Sequence, residues 1–476
     1  MWVIPVSTMA KKEAIVIYPA PWVTHHASMV ELANLLHIHQ PSLYIHILVA
    51  AIPSQPLFSA SASASSAITF NNLPTVDLHP PTTHLDTLHF DFIRLNIPNL
   101  RRSLLTISES YTLNAIIVDF FCSRSAFEVA SDLDLPAYCF YTGAAGSLAS
   151  LLYLPTLHNK FTQSFEDYRD LLVDIPGVPP ILSSDMPSPI LKRNEMYEIF
   201  LDISTCLTHL AGIILNTFEY MEPRAIKAIA NGLCVPNSAT RPLYCIGSFI
   251  ANAAAGGGDG VPECLKWLDS QPSKSVVFLC FGSAGFFSMQ QLMEIAVGLE
   301  RSGHRFLWVV RNPPSENRNL GIDEEVDPDL ISLLPLAFLD RTKDRGYLLK
   351  SWAPQTAVLS HDSIGGFVTH CGWNSVLEAV CAGVPMLAWP LYAEQRYNRV
   401  LMVEEMKIAL PMEELETGLV CSTEVEKRVK DLMESKEGDW VKERIIAMKN
   451  AVRVAVNEGG SSRIAVAELF KSWKQK

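Results

Sequence analysis

Residues 352–395 read WAPQTAVLSHDSIGGFVTHCGWNSVLEAVCAGVPMLAWPLYAEQ, and this stretch decides the fold. The apolar run 363–369 predicts a short buried strand, His370-Cys371-Gly372 a tight turn, and 376–380 a helix that opens on Asn374 and Ser375. Such a strand-turn-helix aims unpaired backbone N–H groups at an anion. No Lys or Arg occurs between Ile364 and Glu378, so a phosphate held here would depend on helix-start amides, hydroxyls and His370. The pattern is that of a nucleotide site.

Working outward, the same alternation continues on both sides. Towards the C-terminal half, strands are expected at 276–281, followed by a helix at 289–302, at 306–310, and at 347–351, 366–369 and 386–389, these last three each trailed by a helix. In the N-terminal half they are expected at 14–18, 44–52, 114–119, 137–141 and 212–217, with helices at 28–36, 92–113, 125–132 and 195–210. Continuous apolar strands separated by helices imply parallel sheets covered on both faces. A chain of 476 residues exceeds what one core sustains. The expectation is therefore α/β, two Rossmann-like doubly wound domains facing a central cleft, with ligands at the carboxyl ends of the strands.

The low-complexity segment 251–260, Ala-Asn-Ala-Ala-Ala-Gly-Gly-Gly-Asp-Gly, marks the joint. It places an N-terminal domain at 1–247, a flexible linker at 248–262, a C-terminal domain at 263–455, and a last helix at 456–476 packing back toward the N-terminal domain. Residues 1–8 read as an extension ahead of the first strand, 53–85 as mostly loops with limited strand, and 176–189 and 312–334 as loops. From 423 to 473 the chain reads as charged helix with one break at Gly459-Gly460.

A formal charge of −12 argues against nucleic acid or an acidic membrane as partner. The ten cysteines are scattered, without CxxC or metal-ligand spacing, which suits reduced thiols of a cytoplasmic protein. The start lacks the apolar core of a signal peptide, and no window of about twenty apolar residues exists for a membrane span. A soluble, cytoplasmic monomer is expected.

The box that opens with WAPQ, contains HCGWNSVLEAV and closes with WPLYAEQ resembles the signature of plant secondary-metabolite UDP-glycosyltransferases. YPAPxxxH near the start, 215–219, 264–283 and 305–311 agree with it, so the similarity spans practically the whole chain and is greatest to the branch that glucosylates chalcones, flavonoids and related phenols. The resemblance implies a GT-B fold and inverting, metal-independent transfer from a UDP-sugar, with no other cofactor. It assigns Trp352 and Ala353 to uracil, Gln355 and Glu378 to the ribose, and His370, Asn374, Ser375 and Ser283 to the diphosphate. Glu394 and Gln395 would hold the sugar. Relatives with other donors carry His at the position of Gln395 or Arg at that of Trp373, so UDP-glucose is the expected donor. Outside this box a tryptophan such as Trp352 would read as core and a Glu-Gln pair as solvated loop.

Transfer to a phenol needs a base near neutrality, and histidine suits it. Alignment with the family places that base at His25 and its partner carboxylate at Asp119, the last residue of an expected strand. Thr142 matches a position that reaches the donor sugar, although as a residue alone it reads equally as a helix N-cap. Trp22 departs from the family, where glycine is common. The loss of glycine removes access to positive φ, and an aromatic ring so near the base is expected to stack on the acceptor or narrow its pocket. Loops near 75–95 and 176–195 are expected to line that pocket. Attack by a ring carbon of an electron-rich phenol, and a UDP-sugar-binding protein without turnover, are the competing readings; a dinucleotide oxidoreductase is disfavoured because no GxGxxG follows an early strand.

Overall fold

The computed structural model describes residues 11–50, 66–76, 87–168, 171–250, 261–314 and 327–474. Most of the 53–85 loop, the 251–260 segment and the N-terminal extension lie outside the described residues.

Two parallel sheets form the frame. The first orders its strands β3-β2-β1-β4-β5-β8-β9, built from β1 (Lys12–Tyr18), β2 (Tyr44–Val49), β3 (Ile68–Asn72), β4 (Tyr111–Asp119), β5 (Ala137–Tyr141), β8 (Gly212–Leu215) and β9 (Leu243–Cys245). A small antiparallel pair, β6 (Leu172–Val173) and β7 (Ile181–Leu182), stands apart. The second sheet runs β12-β11-β10-β13-β14-β15, from β10 (Val276–Cys280), β11 (Arg305–Val310), β12 (Gly346–Lys350), β13 (Ile364–Thr369), β14 (Met386–Ala388) and β15 (Ala409–Pro411). Its order is that of a doubly wound nucleotide-binding fold, and every pairing in both sheets is parallel.

Strand periodicity divides the core. Val16 and Tyr18 of β1 point to one face of the first sheet, and Ile15 and Ile17 to the other, where Met29, Leu32 and Leu36 of the helix Val23–His39 meet them. In β10, Val277 and Leu279 enter a cluster confined to the second domain. Val276 and Phe278 instead join a cluster that continues across the interface into the first domain. The cleft therefore stands on a shared apolar floor.

Several boundaries differ from the sequence expectation. The first helix begins at Val23 rather than near residue 28, with Trp22 as an extended N-cap that makes no side-chain cap bond. The span 92–113 is two helices, Leu88–Leu95 and Ile97–Ser110, parted at Asn96 with Pro98 in the first turn of the second. The last charged region breaks also at Ser435, whose hydroxyl accepts from the Gly438 N–H at 3.1 Å to cap the helix Lys436–Val456.

The final helix, Ser461–Ser472, lies on the first sheet. Tyr138 Oη and Ser472 Oγ are 2.9 Å apart, Ser462 Oγ donates to the Gly247 carbonyl, and Val466, Leu469 and Trp473 enter the cluster of β1 and β2. All ten cysteines are free thiols. No helix among the described residues is long and apolar enough to cross a membrane.

Candidate active site

The carboxyl ends of both sheets open on one cavity of about 930 Å³, lined from both domains. That is the size of a pocket for a sizeable ligand, at the place where open α/β sheets bind them.

On the first wall, β4 ends on Asp119, which is fully buried. Its Oδ1 accepts the Phe121 N–H at 3.0 Å, and its Oδ2 lies 2.7 Å from His25 Nδ1. His25 sits in the first turn of the helix Val23–His39, its own N–H donating to the Trp22 carbonyl at 3.0 Å. With Nδ1 held by the carboxylate, Nε2 is the nitrogen left for a substrate. Burial alone would press the imidazole pKa down. The Asp119 charge and hydrogen bond, helped by Glu394 across the cleft, outweigh it and raise His25 above the ordinary histidine value. His26, its neighbour, is buried and pushed down to about 4 by burial and by His25. Trp22 stands beside the base, 5.3 Å from His25 between ring centroids and 4.8 Å edge-on from Phe121.

The second wall is built by β13 and the helix Trp373–Ala382. That helix has Gly372 as N-cap, no side-chain cap and no acidic residue in its first turn, so its leading amides are uncapped toward the cavity. His370 is buried, its Nδ1 has no hydrogen-bond partner among the described residues, and burial pushes its pKa down to about 4, so the ring is neutral at pH 7. Gly282 lets this ring close on the turn after β10: its φ is +74°, and an added Cβ would lie 2.7 Å from His370 Nε2. Ser283 follows, exposed at the rim. Gln355 Nε2 donates to Ser375 Oγ at 2.9 Å and to Glu378 Oε2 at 2.8 Å. Ala353 is buried, whereas Trp352 is 54% exposed, an uncovered indole face on the cavity wall.

Three non-glycine residues with positive φ, Ser351, Cys371 and Ala393, fall in the cavity loops after β12, β13 and β14. Backbone strain of about 1–3 kcal/mol at such positions is held by surrounding structure, and it clusters at functional sites. Cys371 is held by the Asn398 amide, which donates to its carbonyl at 2.9 Å.

A family model described as "UDP-glucoronosyl and UDP-glucosyl transferase" matches residues 236–450. Anthocyanidin 5,3-O-glucosyltransferase of a Rosa hybrid cultivar is 48% identical, over 98% of this chain and 99% of the relative. The chain belongs to the UDP-glycosyltransferase family. Isoflavone 7-O-glucosyltransferase 1 of Glycine max is 43% identical over 98% of this chain and the whole relative. Among solved structures, Phytolacca americana UGT2 complexed with UDP-2fluoro-glucose and pterostilbene superposes with a TM-score of 0.84 at 36% identity, covering 97% of this chain and all of that one. The two facing sheets are thus the GT-B fold.

In this UDP-glycosyltransferase the residues that the sequence singles out line the cavity, except Asp119, which is buried behind His25, and they differ from expectation in detail. Thr142 lines the cavity but is not a helix N-cap. The helix Ala145–Lys160 is capped at Ala144, and the Gly146 N–H is satisfied instead by Glu222 Oε1 at 3.0 Å. Trp373 is 3% exposed and its indole N–H donates to the Asn216 carbonyl of the first domain at 3.4 Å. Asn374 Nδ2 donates to Ser28 Oγ, also of the first domain, at 3.3 Å. Gln395 turns its Oε1 onto the Leu391 and Tyr392 N–H groups, at 2.8 and 2.9 Å.

Other residues at the site escape sequence reading. Arg311, just past β11, donates to the Ser283 carbonyl and, at 2.9 Å, to that of Ser351, stitching the loops after β10 and β12. It is a cation in a cavity whose central box has none, and the only sequence signal is its place at the end of 305–311. The loop carrying Glu394 is tied to the first domain at several points. The Ser188 N–H donates to the Ala393 carbonyl at 3.0 Å, Arg399 Nη2 bridges both Asp185 oxygens at 3.2 Å, and Tyr397 Oη donates to the Gly146 carbonyl at 3.0 Å. A Cβ at Gly146 would lie 2.8 Å from the Leu401 methyls, so these helices meet closely.

Proposed function

We propose that the chain is an inverting UDP-glucose-dependent glucosyltransferase that forms O-glucosides of phenolic, flavonoid-like acceptors, using His25 as base and Asp119 as its partner. The observation that carries this is the 2.7 Å His25–Asp119 contact in the same cavity as an uncapped helix start and a bare indole face. The O-glucosyltransferase relatives of Rosa and Glycine support an O-linked product, and the pterostilbene complexed with Phytolacca americana UGT2 supports an aromatic acceptor.

In the proposed reaction His25 Nε2 takes the proton of the acceptor hydroxyl while that oxygen attacks the anomeric carbon. The bond from this carbon to the β-phosphate oxygen breaks on the opposite face, and the α-linked glucose becomes β-linked. UDP leaves with the electron pair, its charge met by the amides at 373–375, His370, Ser283 and the hydroxyl of Ser375. The proton rests on an imidazole paired with Asp119. Trp352 would stack on uracil beside the Ala353 backbone, and Gln355 and Glu378 would take the ribose hydroxyls, exchanging their mutual hydrogen bond for them. Glu394, the Gln395 amide and Thr142 would hold glucose. Trp373 and Asn374 would act by fixing the helix start against the first domain. Trp22 belongs to the acceptor pocket. UDP-glucose is then a co-substrate, and the enzyme works without a metal.

Two measurements test the reading at its edges. Mild acid hydrolysis of the product should release the intact phenol, whereas a product that resists it would be carbon-linked. The Arg399–Asp185 bridge is expected to matter for the sugar more than for the nucleotide. Arg399→Ala should lower kcat/KM for UDP-glucose by about 10-fold while the inhibition constant of UDP stays within about 3-fold, because the tie positions Glu394 and Gln395 and not the phosphate helix. Parallel losses for UDP and UDP-glucose would contradict it.

A further inference from the structure

The acceptor side of the cavity is an aromatic chamber. Phe121 lies 4.8 Å edge-on from Trp22 and 5.4 Å from His25, and Phe90 and Phe200 continue the wall at 5.9 and 6.0 Å from Phe121. Its polar groups are few and mostly committed. His25 Nδ1 is held by Asp119, and the Tyr141 hydroxyl by Ser147. His89, on the helix Leu88–Leu95, is different. It lines the cavity, its ring centroid is 5.0 Å from that of Trp22, and it makes no hydrogen bond among the described residues. One indole thus has two imidazoles on its borders, one engaged as the proposed base and one free.

We propose that His89 is a specificity-determining residue that binds a second hydroxyl of the acceptor, making the enzyme selective for flat, neutral polyphenols over monohydric phenols. This rests on the phenol glucosyltransferase reading given above. A planar two-ring acceptor lying along Trp22 presents one edge to His25 and the other to His89. Burial lowers the His89 pKa with no carboxylate or cation contributing, so the ring is neutral in use. A neutral imidazole offers one donor and one acceptor, which matches a hydroxyl in either sense and gives no charge to attract a phenolic carboxylate. The neighbouring wall is aromatic, so an acceptor lacking that hydroxyl sets a ring against the half-buried imidazole and leaves it unpaired. A site built to hydrogen-bond a hydroxyl rejects the analogue without it far more strongly than an apolar pocket rejects a missing methylene.

The test compares 7-hydroxyflavone with 7,4′-dihydroxyflavone as acceptors for UDP-glucose, with the glucosylated oxygen identified by NMR so that the same position is compared. Wild-type enzyme is expected to favour the dihydroxy compound by about 10- to 100-fold in kcat/KM. His89→Phe should bring the ratio to within about 3-fold, because the dihydroxy compound loses its hydrogen bond while 7-hydroxyflavone no longer faces an unpaired imidazole. His89→Gln, which keeps a donor and an acceptor, should restore part of the preference. A merely structural role would lower both rates together, and that result, or an unchanged ratio, overturns the inference. If wild-type enzyme uses UDP-glucose with no phenol of a broad panel, the function reading itself fails and this inference with it. Turnover of both flavones without discrimination defeats the inference alone.

Discussion

Replacing His25 by Ala is expected to lower kcat with a phenol acceptor by about 10³-fold while the UDP dissociation constant stays within about 3-fold. The effect is large because a buried carboxylate holds the imidazole by Nδ1 and leaves Nε2 for the acceptor hydroxyl. UDP binding survives because the proposed nucleotide contacts, from Trp352 to Glu378, belong to the other domain. The fold survives because His25 contributes its backbone to the first helical turn, which alanine preserves. The loss should shrink for an acceptor such as 4-nitrophenol assayed above its own pKa, since the proton is then already gone. Steady-state rates together with calorimetry of UDP check this. Turnover of His25→Ala near wild type would show that another group removes the proton.

Asp119→Asn is the second large effect, and it separates orientation from charge. The carboxylate raises the His25 pKa, and only neutral His25 accepts a proton, so wild-type kcat/KM should climb as pH rises through that raised value. Removing the charge lets the pKa fall, and the acidic limb should move to lower pH. The maximal rate should nonetheless drop by about 10²- to 10⁴-fold, because the imidazolium formed during transfer loses its counter-charge and an amide can favour the wrong tautomer. The Phe121 N–H still finds an oxygen in Asn, so local folding is preserved. A pH profile of kcat/KM for both proteins reads the two effects at once. An unmoved limb would mean that the profile reports another group.

The double-wound frame was legible because parallel strands are buried on both faces and so read as unbroken apolar runs, as in Val276–Cys280. The turn from His370 to Ser375 was legible for a different reason, since glycine and an uncapped helix start leave a local trace. The start of the first helix was not. Its cap is Trp22, which lacks the side-chain oxygen of Ser, Asp or Asn, and Val23 and Thr24 are β-branched, so nothing announced that His25 lies inside the first turn. Nor did the box show that Gln395 spends its carbonyl on its own loop, since motif spacing fixes residue type and not the direction of an amide. The ties between domains were out of reach altogether. Arg399 and Asp185 stand 214 residues apart, and Tyr397 and Gly146 stand 251 apart, and no local periodicity reports such contacts. His89 was hidden likewise, because a histidine in an amphipathic helix becomes notable only when its face is seen against Trp22.

The most direct test is the reaction of UDP-glucose with 7,4′-dihydroxyflavone and the purified protein, analysed by NMR and by release of UDP. The expected product is a β-linked O-glucoside formed in equal amount with UDP and lost in the His25→Ala protein. An α-linked glucoside, or UDP-glucose left unconsumed with this flavone and with every other phenol offered, would contradict it.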